Sequence, residues 1–117
     1  MKRSIAVLLV LAMGCSRPPT TSSLAGDAGR GRVDVARYGC GACHVIPGVA
    51  GADGRVGPML ARFREQAIIA GHVPNTMTNL VHWLRDPQSV SPGTAMPNLG
   101  IDEPTARDIA AYIYTLR

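Results

Sequence analysis

Lysine is nearly absent from this 117-residue chain, with Lys2 the single instance, and aromatic residues are scarce: one Phe, one Trp and three Tyr. No stretch alternates β-branched with polar residues, so no segment competes for a strand and a sheet protein is not expected. The longest apolar run, Ile5 to Met13, is well short of the ~20 residues that cross a bilayer. Beyond the N-terminus the arginines are scattered from Arg17 to Arg117, without a basic run or interleaved aromatics, which argues against a nucleic-acid surface. A single small domain of this length buries only about 60 to 65% of its unfolded surface. With so few large side chains to fill the core, a bound cofactor is expected to occupy its centre.

What the chain does have begins with a leader. "MKRSIAVLLVLAMG" joins a basic start to a short apolar run and small residues, the pattern of a secretory signal peptide over 1–14. "LAMGC" resembles the lipobox of bacterial lipoproteins, with Ala12 and Met13 as departures from its usual residues. Two readings stand: cleavage before Cys15 with acylation of that cysteine, or an ordinary signal peptide. Acylation is favoured because it accounts for the odd cysteine, leaving Cys40 and Cys43 as a pair. Several acyl chains on Cys15 would anchor the protein to a membrane. Either reading places the protein outside the cytoplasm, on the periplasmic or cell-surface side. Loss of Lys2 and Arg3 reduces the formal charge from +4 to +2. Residues 15–26, "CSRPPTTSSLAG", read as a flexible tether, and 27–117 as one folded domain.

Three helices are expected in that domain. The first runs from Asp27 or Ala28 to Gly39, with Val35 and Tyr38 on the face of Gly31, whose missing side chain lets another helix approach. The second follows "HVPNT", capped by Asn75 or Thr76, presents Leu80, Trp83 and Leu84, and stops at Asp86 and Pro87. Asp102 caps the third, Pro104 stands in its first turn, and Ile109, Tyr112, Ile113 and Leu116 form its apolar face. "PGVAGADGRVGP" and "PQSVSPGTAMPNLG" are long Gly/Pro-rich connections, and connections of this length in a small domain wrap something or carry function. "GADGRVG" follows no strand and has no Lys, so it is not read as a phosphate loop.

The chemistry concentrates in "YGCGACHVIPG", residues Tyr38 to Gly48. Cysteines at i and i+3 lie on one side of a helical turn, so both sulfurs reach the two vinyl groups of one porphyrin, and the adjacent His44 turns toward its iron. C-x-x-C-H therefore reads as attachment of c-type haem through Cys40 and Cys43. A structural zinc site needs two more ligands, and His72 and His82 lie in separate segments and read as surface residues. A thioredoxin-like dithiol needs a βαβ setting that is missing.

"RYGCGACH", "GPML", "NLVHWLRDP", "GTAMPNLG" and "ARDIAAYIYTLR" together resemble a class I monohaem cytochrome c, most nearly the cytochrome c domains fused to subunit II of some haem-copper oxidases. The likeness spans about Asp27 to Arg117, without the copper ligands or membrane helices of a subunit II, so a cytochrome module standing alone is expected. It implies an all-α fold of about three to five helices wrapped with Gly/Pro-rich loops around one covalent haem. It makes His44 the proximal ligand and Pro58 the carbonyl that accepts from its other ring nitrogen, with Gly57 small enough to leave the approach open. Met96 is implied as the distal sulfur ligand, held extended by Pro97, with a His/Met pair raising the potential. Trp83 is implied to reach a propionate and Leu60 and Leu99 to pack the haem, against the plainer reading of all three as core residues. Ile109 and Tyr112 are expected to pack on Gly31 and Val35 of the first helix.

Both axial positions filled describes a one-electron carrier rather than an enzyme, working between a redox protein donor and acceptor such as a terminal oxidase or a quinol-oxidising complex. Two alternatives remain at this stage. Met96 leaves the iron and the protein is a haem-based sensor or peroxidase, or the chain is a dedicated electron-transfer subunit of an oxidase or dehydrogenase. The absence of Lys beyond the leader means that steering by a lysine ring is not expected.

Overall fold

A computed structural model of the chain describes residues 25–117. The expected leader over 1–14, Cys15 and the tether as far as residue 24 lie outside the described residues. The described part is mostly helical, with four α-helices, two short 3₁₀ turns and a small two-stranded sheet, consistent with the small cytochrome c fold expected above.

Helix α1, Ala28–Arg37, starts where the Asp27 carboxylate accepts from the Arg30 N–H at 2.9 Å. It ends at Tyr38, and Gly39 follows in the left-handed conformation that glycine adopts without strain. The 3₁₀ turn Cys40–Ala42 comes next. Helix α2, Met77–Arg85, is capped by Thr76 and buries Leu80, Val81 and Leu84. Asp86 and Pro87 end α2 as expected, and Asp86 also caps a further short helix, α3, Pro87–Val90, with Pro87 in its first turn. Helix α4, Glu103–Ile113, is capped by Asp102 through the Thr105 N–H at 2.9 Å and buries Ala106, Ile109, Ala110, Tyr112 and Ile113.

Helices α1 and α4 cross at Gly31. A methyl group there would collide with the Asp108 carbonyl and stand 2.9 Å from Tyr112 Cβ, so only glycine permits this approach. The crossing is fastened by an ion pair that periodicity did not reveal. Asp108, 7% exposed, accepts from Arg30 Nε at 2.6 Å and from the Asp27 N–H at 2.6 Å. The Arg30 guanidinium is the main reason the Asp108 carboxyl lies below the usual carboxylate range, with the Asp27 N–H adding to it.

One correction concerns strands. Ile68–Ile69 (β1) and Val73–Pro74 (β2) form an antiparallel hairpin whose turn holds Ala70 and Gly71 at positive φ. Two-residue strands are too short for an alternating pattern, and Ala70 is a residue that seldom takes the left-handed conformation. Asn75 fixes the hairpin's base by donating to the Phe63 and Gln66 carbonyls at 2.8 and 2.9 Å and accepting from Tyr114 Oη at 2.7 Å. The core gathers Val35, Ile46, Leu60, Phe63, Ile69, Leu80, Leu84, Ile101, Ile109 and Ile113 from α1, β1, α2, α4 and the segments that connect them.

Candidate functional site

The segment holding Cys40, Cys43 and His44 is set by backbone hydrogen bonds. The carbonyl of Cys40 accepts from the N–H groups of Cys43 and His44 at 3.2 and 3.0 Å, closing the turn that brings the two cysteines together. The following loop then doubles back: Gly54 N–H donates to the Gly41 carbonyl at 3.0 Å, Gly57 N–H to Cys43 at 2.8 Å and Leu60 N–H to Val45 at 3.0 Å. The glycines make this contact possible. A methyl group at 41 would stand 2.7 Å from Ala52 Cα, and one at 54 would collide with the Ala42 carbonyl.

His44 lies flat against Gly57, where a Cβ would stand 2.7 Å from Nδ1 and 2.8 Å from Nε2. Its Nδ1 is 2.7 Å from the Pro58 carbonyl oxygen. A carbonyl can only accept, so Nδ1 carries the proton and Nε2 presents a lone pair. Nε2 has no hydrogen-bond partner among the described residues. The ring is thereby oriented, restricted to one tautomer and left with one open donor atom, the state a metal ligand needs.

Cys40 and Cys43 are both free thiols and half-buried. Burial pushes the Cys40 thiol up, away from the lowered value of a thiol-exchange nucleophile. Among the described residues no three His, Cys, Asp or Glu side chains converge on a common point, and His72 and His82 are exposed on separate elements.

Met96, Trp83 and Cys40 all lie half-buried against the core. The Trp83 indole N–H meets no acceptor among the described residues. Leu60 is buried in the core, whereas Leu99 is 37% exposed in the segment between Met96 and α4. Gln88, on α3, has a place in the site that was not read from sequence. Its side chain accepts from the Gly93 N–H at 3.0 Å and donates to the Thr94 and Met96 carbonyls at 2.9 and 3.3 Å. The Asp86-Pro87 cap signature could have located α3, but nothing periodic marks a glutamine that bonds to a loop backbone.

Comparison with known proteins bears on this arrangement. The chain is 35% identical over 114 residues to cytochrome c-552 of Bradyrhizobium diazoefficiens, an alignment covering 95% of this chain and 92% of that protein. It is 34% identical over 91 residues to cytochrome c oxidase subunit 2 of Alkalihalophilus pseudofirmus, and 41% identical over 59 residues to the protein of that name from Bacillus sp.. Those alignments take in 77% and 49% of this chain but only 26% and 17% of the subunits' lengths. No family model matches the chain, and no solved structure matches it. Near full-length likeness to cytochrome c-552, joined to a mostly helical fold, leads to one conclusion: the chain belongs to the cytochrome c family.

Proposed function

We propose that the protein is a one-electron carrier that binds one c-type haem covalently through Cys40 and Cys43, with His44 and Met96 as axial ligands. The observation that carries this reading is the 2.7 Å contact of His44 Nδ1 with the Pro58 carbonyl, which leaves Nε2 as the only free ring donor, directly beside two free thiols. The donor set suits the group: two thiols for thioethers, an oriented imidazole, a thioether sulfur, and an indole N–H without a protein acceptor. When bound, a c-type haem supplies an iron that gains and loses one electron. His44 and Met96 would both hold that iron, which would leave neither substrate nor peroxide a vacant position.

Likeness to part of an oxidase subunit 2 supports a terminal oxidase as electron acceptor. Export, acylation of Cys15 and anchoring to a membrane complete the proposal, since a tether would raise the local concentration of the carrier near membrane-bound partners.

The mature holoprotein's intact mass tests the reading. We expect a chain beginning at Cys15, heavier by acyl groups and by one haem that survives acid–organic extraction. Haem lost in that extraction would contradict covalent attachment, and a chain without acyl groups would contradict the anchor while leaving the carrier function in place.

A further inference from the structure

We propose that Gln88 is a positioning residue that holds the loop bearing Met96, and so sets how readily the Met96 sulfur leaves the iron. The inference rests on the His44/Met96 reading above. Gln88 uses its whole amide: both Nε2 protons are spent on the carbonyls of Thr94 and Met96, and Oε1 accepts from the Gly93 N–H. The loop has little else. Thr94 N–H donates to Ser91, Met96 N–H reaches Thr94 Oγ1 at 3.4 Å, and Gly100 N–H reaches Asn98 Oδ1, all within the loop. Among the described residues, every hydrogen bond from residues 92–100 to another element passes through Gln88.

The base on which Gln88 stands is firm. Pro87 is fully buried, and Ser89 Oγ lies 2.9 Å from both the Asp86 carbonyl and His82 Nε2, which ties α3 to α2. The Gln88 side chain is exposed and fills no cavity, so its removal disturbs the loop rather than the core. Displacement of Met96 that carries the backbone at 93–96 with it breaks three hydrogen bonds to the Gln88 side chain. Gln88→Ala removes all three. Gln88→Glu keeps the acceptor for Gly93 but sets a carboxylate against two carbonyl oxygens, which it cannot serve as donor.

The test uses the ferric holoprotein, imidazole as the probe, and the weak near-red absorption band of sulfur on iron as the readout. Thermal unfolding is measured on the same samples. The expected result is imidazole binding about tenfold tighter in Gln88→Ala and in Gln88→Glu, because less loop stabilisation is lost on displacement. The unfolding midpoints should fall by several degrees, because the same loop hydrogen bonds are lost on unfolding. Affinities within about twofold of the native protein in both variants, with the band retained, would overturn the role of Gln88 alone. So would a fall in thermal stability with no change in imidazole affinity, which marks a merely structural residue. A native protein lacking the band would overturn Met96 ligation itself, and the Gln88 proposal with it.

Discussion

His44 and Met96 both belong to glycine- and proline-rich surroundings, yet the structure secures them by different means. The loop behind His44 is sewn to the Cys40–Val45 segment by backbone hydrogen bonds, with Gly41, Gly54 and Gly57 allowing the two strands of chain to touch. Among the described residues, the hydrogen bonds that tie the loop around Met96 to another element all come from one side chain, that of Gln88. A backbone tie survives most substitutions, because every residue except proline carries the same N–H and C=O. A side-chain tie depends on a single residue. On the proposed His44/Met96 ligation, the imidazole would be the permanent partner and the sulfur the adjustable one, with lability set at Gln88, which would not itself touch the cofactor.

The firm side breaks only where a side chain is forced between packed backbones. Gly57→Ala drives a methyl group into the His44 ring, and we expect a loss of about 1–3 kcal/mol in denaturant unfolding, the usual cost of overpacking. The near-red band should persist in this variant, since the Met96 loop is untouched. An unchanged midpoint would show that the ring can move aside, and that the backbone-sewn side is softer than its hydrogen bonds imply.

Both loops hang from the α1–α4 crossing, so weakening that crossing should loosen them together. Arg30 holds the folded-state pKa of Asp108 below its unfolded value of about 3.9. The stabilisation is therefore complete above that unfolded value and lost as pH falls through the lower folded one. Thermal unfolding midpoints should drop on acidification below about pH 4, with a shallower dependence in Asp108→Asn. Some dependence should remain from Glu103, whose carboxyl is lowered chiefly by Arg107. An equally steep fall in Asp108→Asn would mean that the crossing is not where acid acts.

The smallest expected effect lies at the surface. Arg30, Arg37, Arg62, Arg85 and Arg107 already pair with acids, and beyond Lys2 the chain has no Lys. Association with a redox partner should therefore change by less than about threefold over a tenfold range of ionic strength. A steep salt dependence in stopped-flow rates would show that cations such as Arg55 and Arg64, which form no ion pair among the described residues, steer docking after all.

How far the molecule could be read from its sequence follows the same division. The caps at Thr76 and Asp102, the burial of Val35 on α1 and of Leu80 and Leu84 on α2, the apolar face of α4, and the close approach at Gly31 are local or periodic, and all were legible. The pairing of His44 with Pro58 was implied by resemblance rather than by spacing, and the structure places the two groups in contact. What escaped has no period. Arg30 finds Asp108 across 78 residues of sequence, β1 and β2 are two residues each, and α3 is a single turn hidden behind a signal read only as a stop. Gln88 was invisible for the same reason, since a side-chain bond to a distant loop backbone leaves no pattern in neighbouring residues.

The central claim, that His44 and Met96 together hold a covalent haem iron, is tested most directly by the near-red absorption of the ferric protein beside that of Met96→Ala. The account predicts a weak band in the native protein and none in the variant, with covalent haem retained in both. A native spectrum without the band, or a band that survives Met96→Ala, would contradict it.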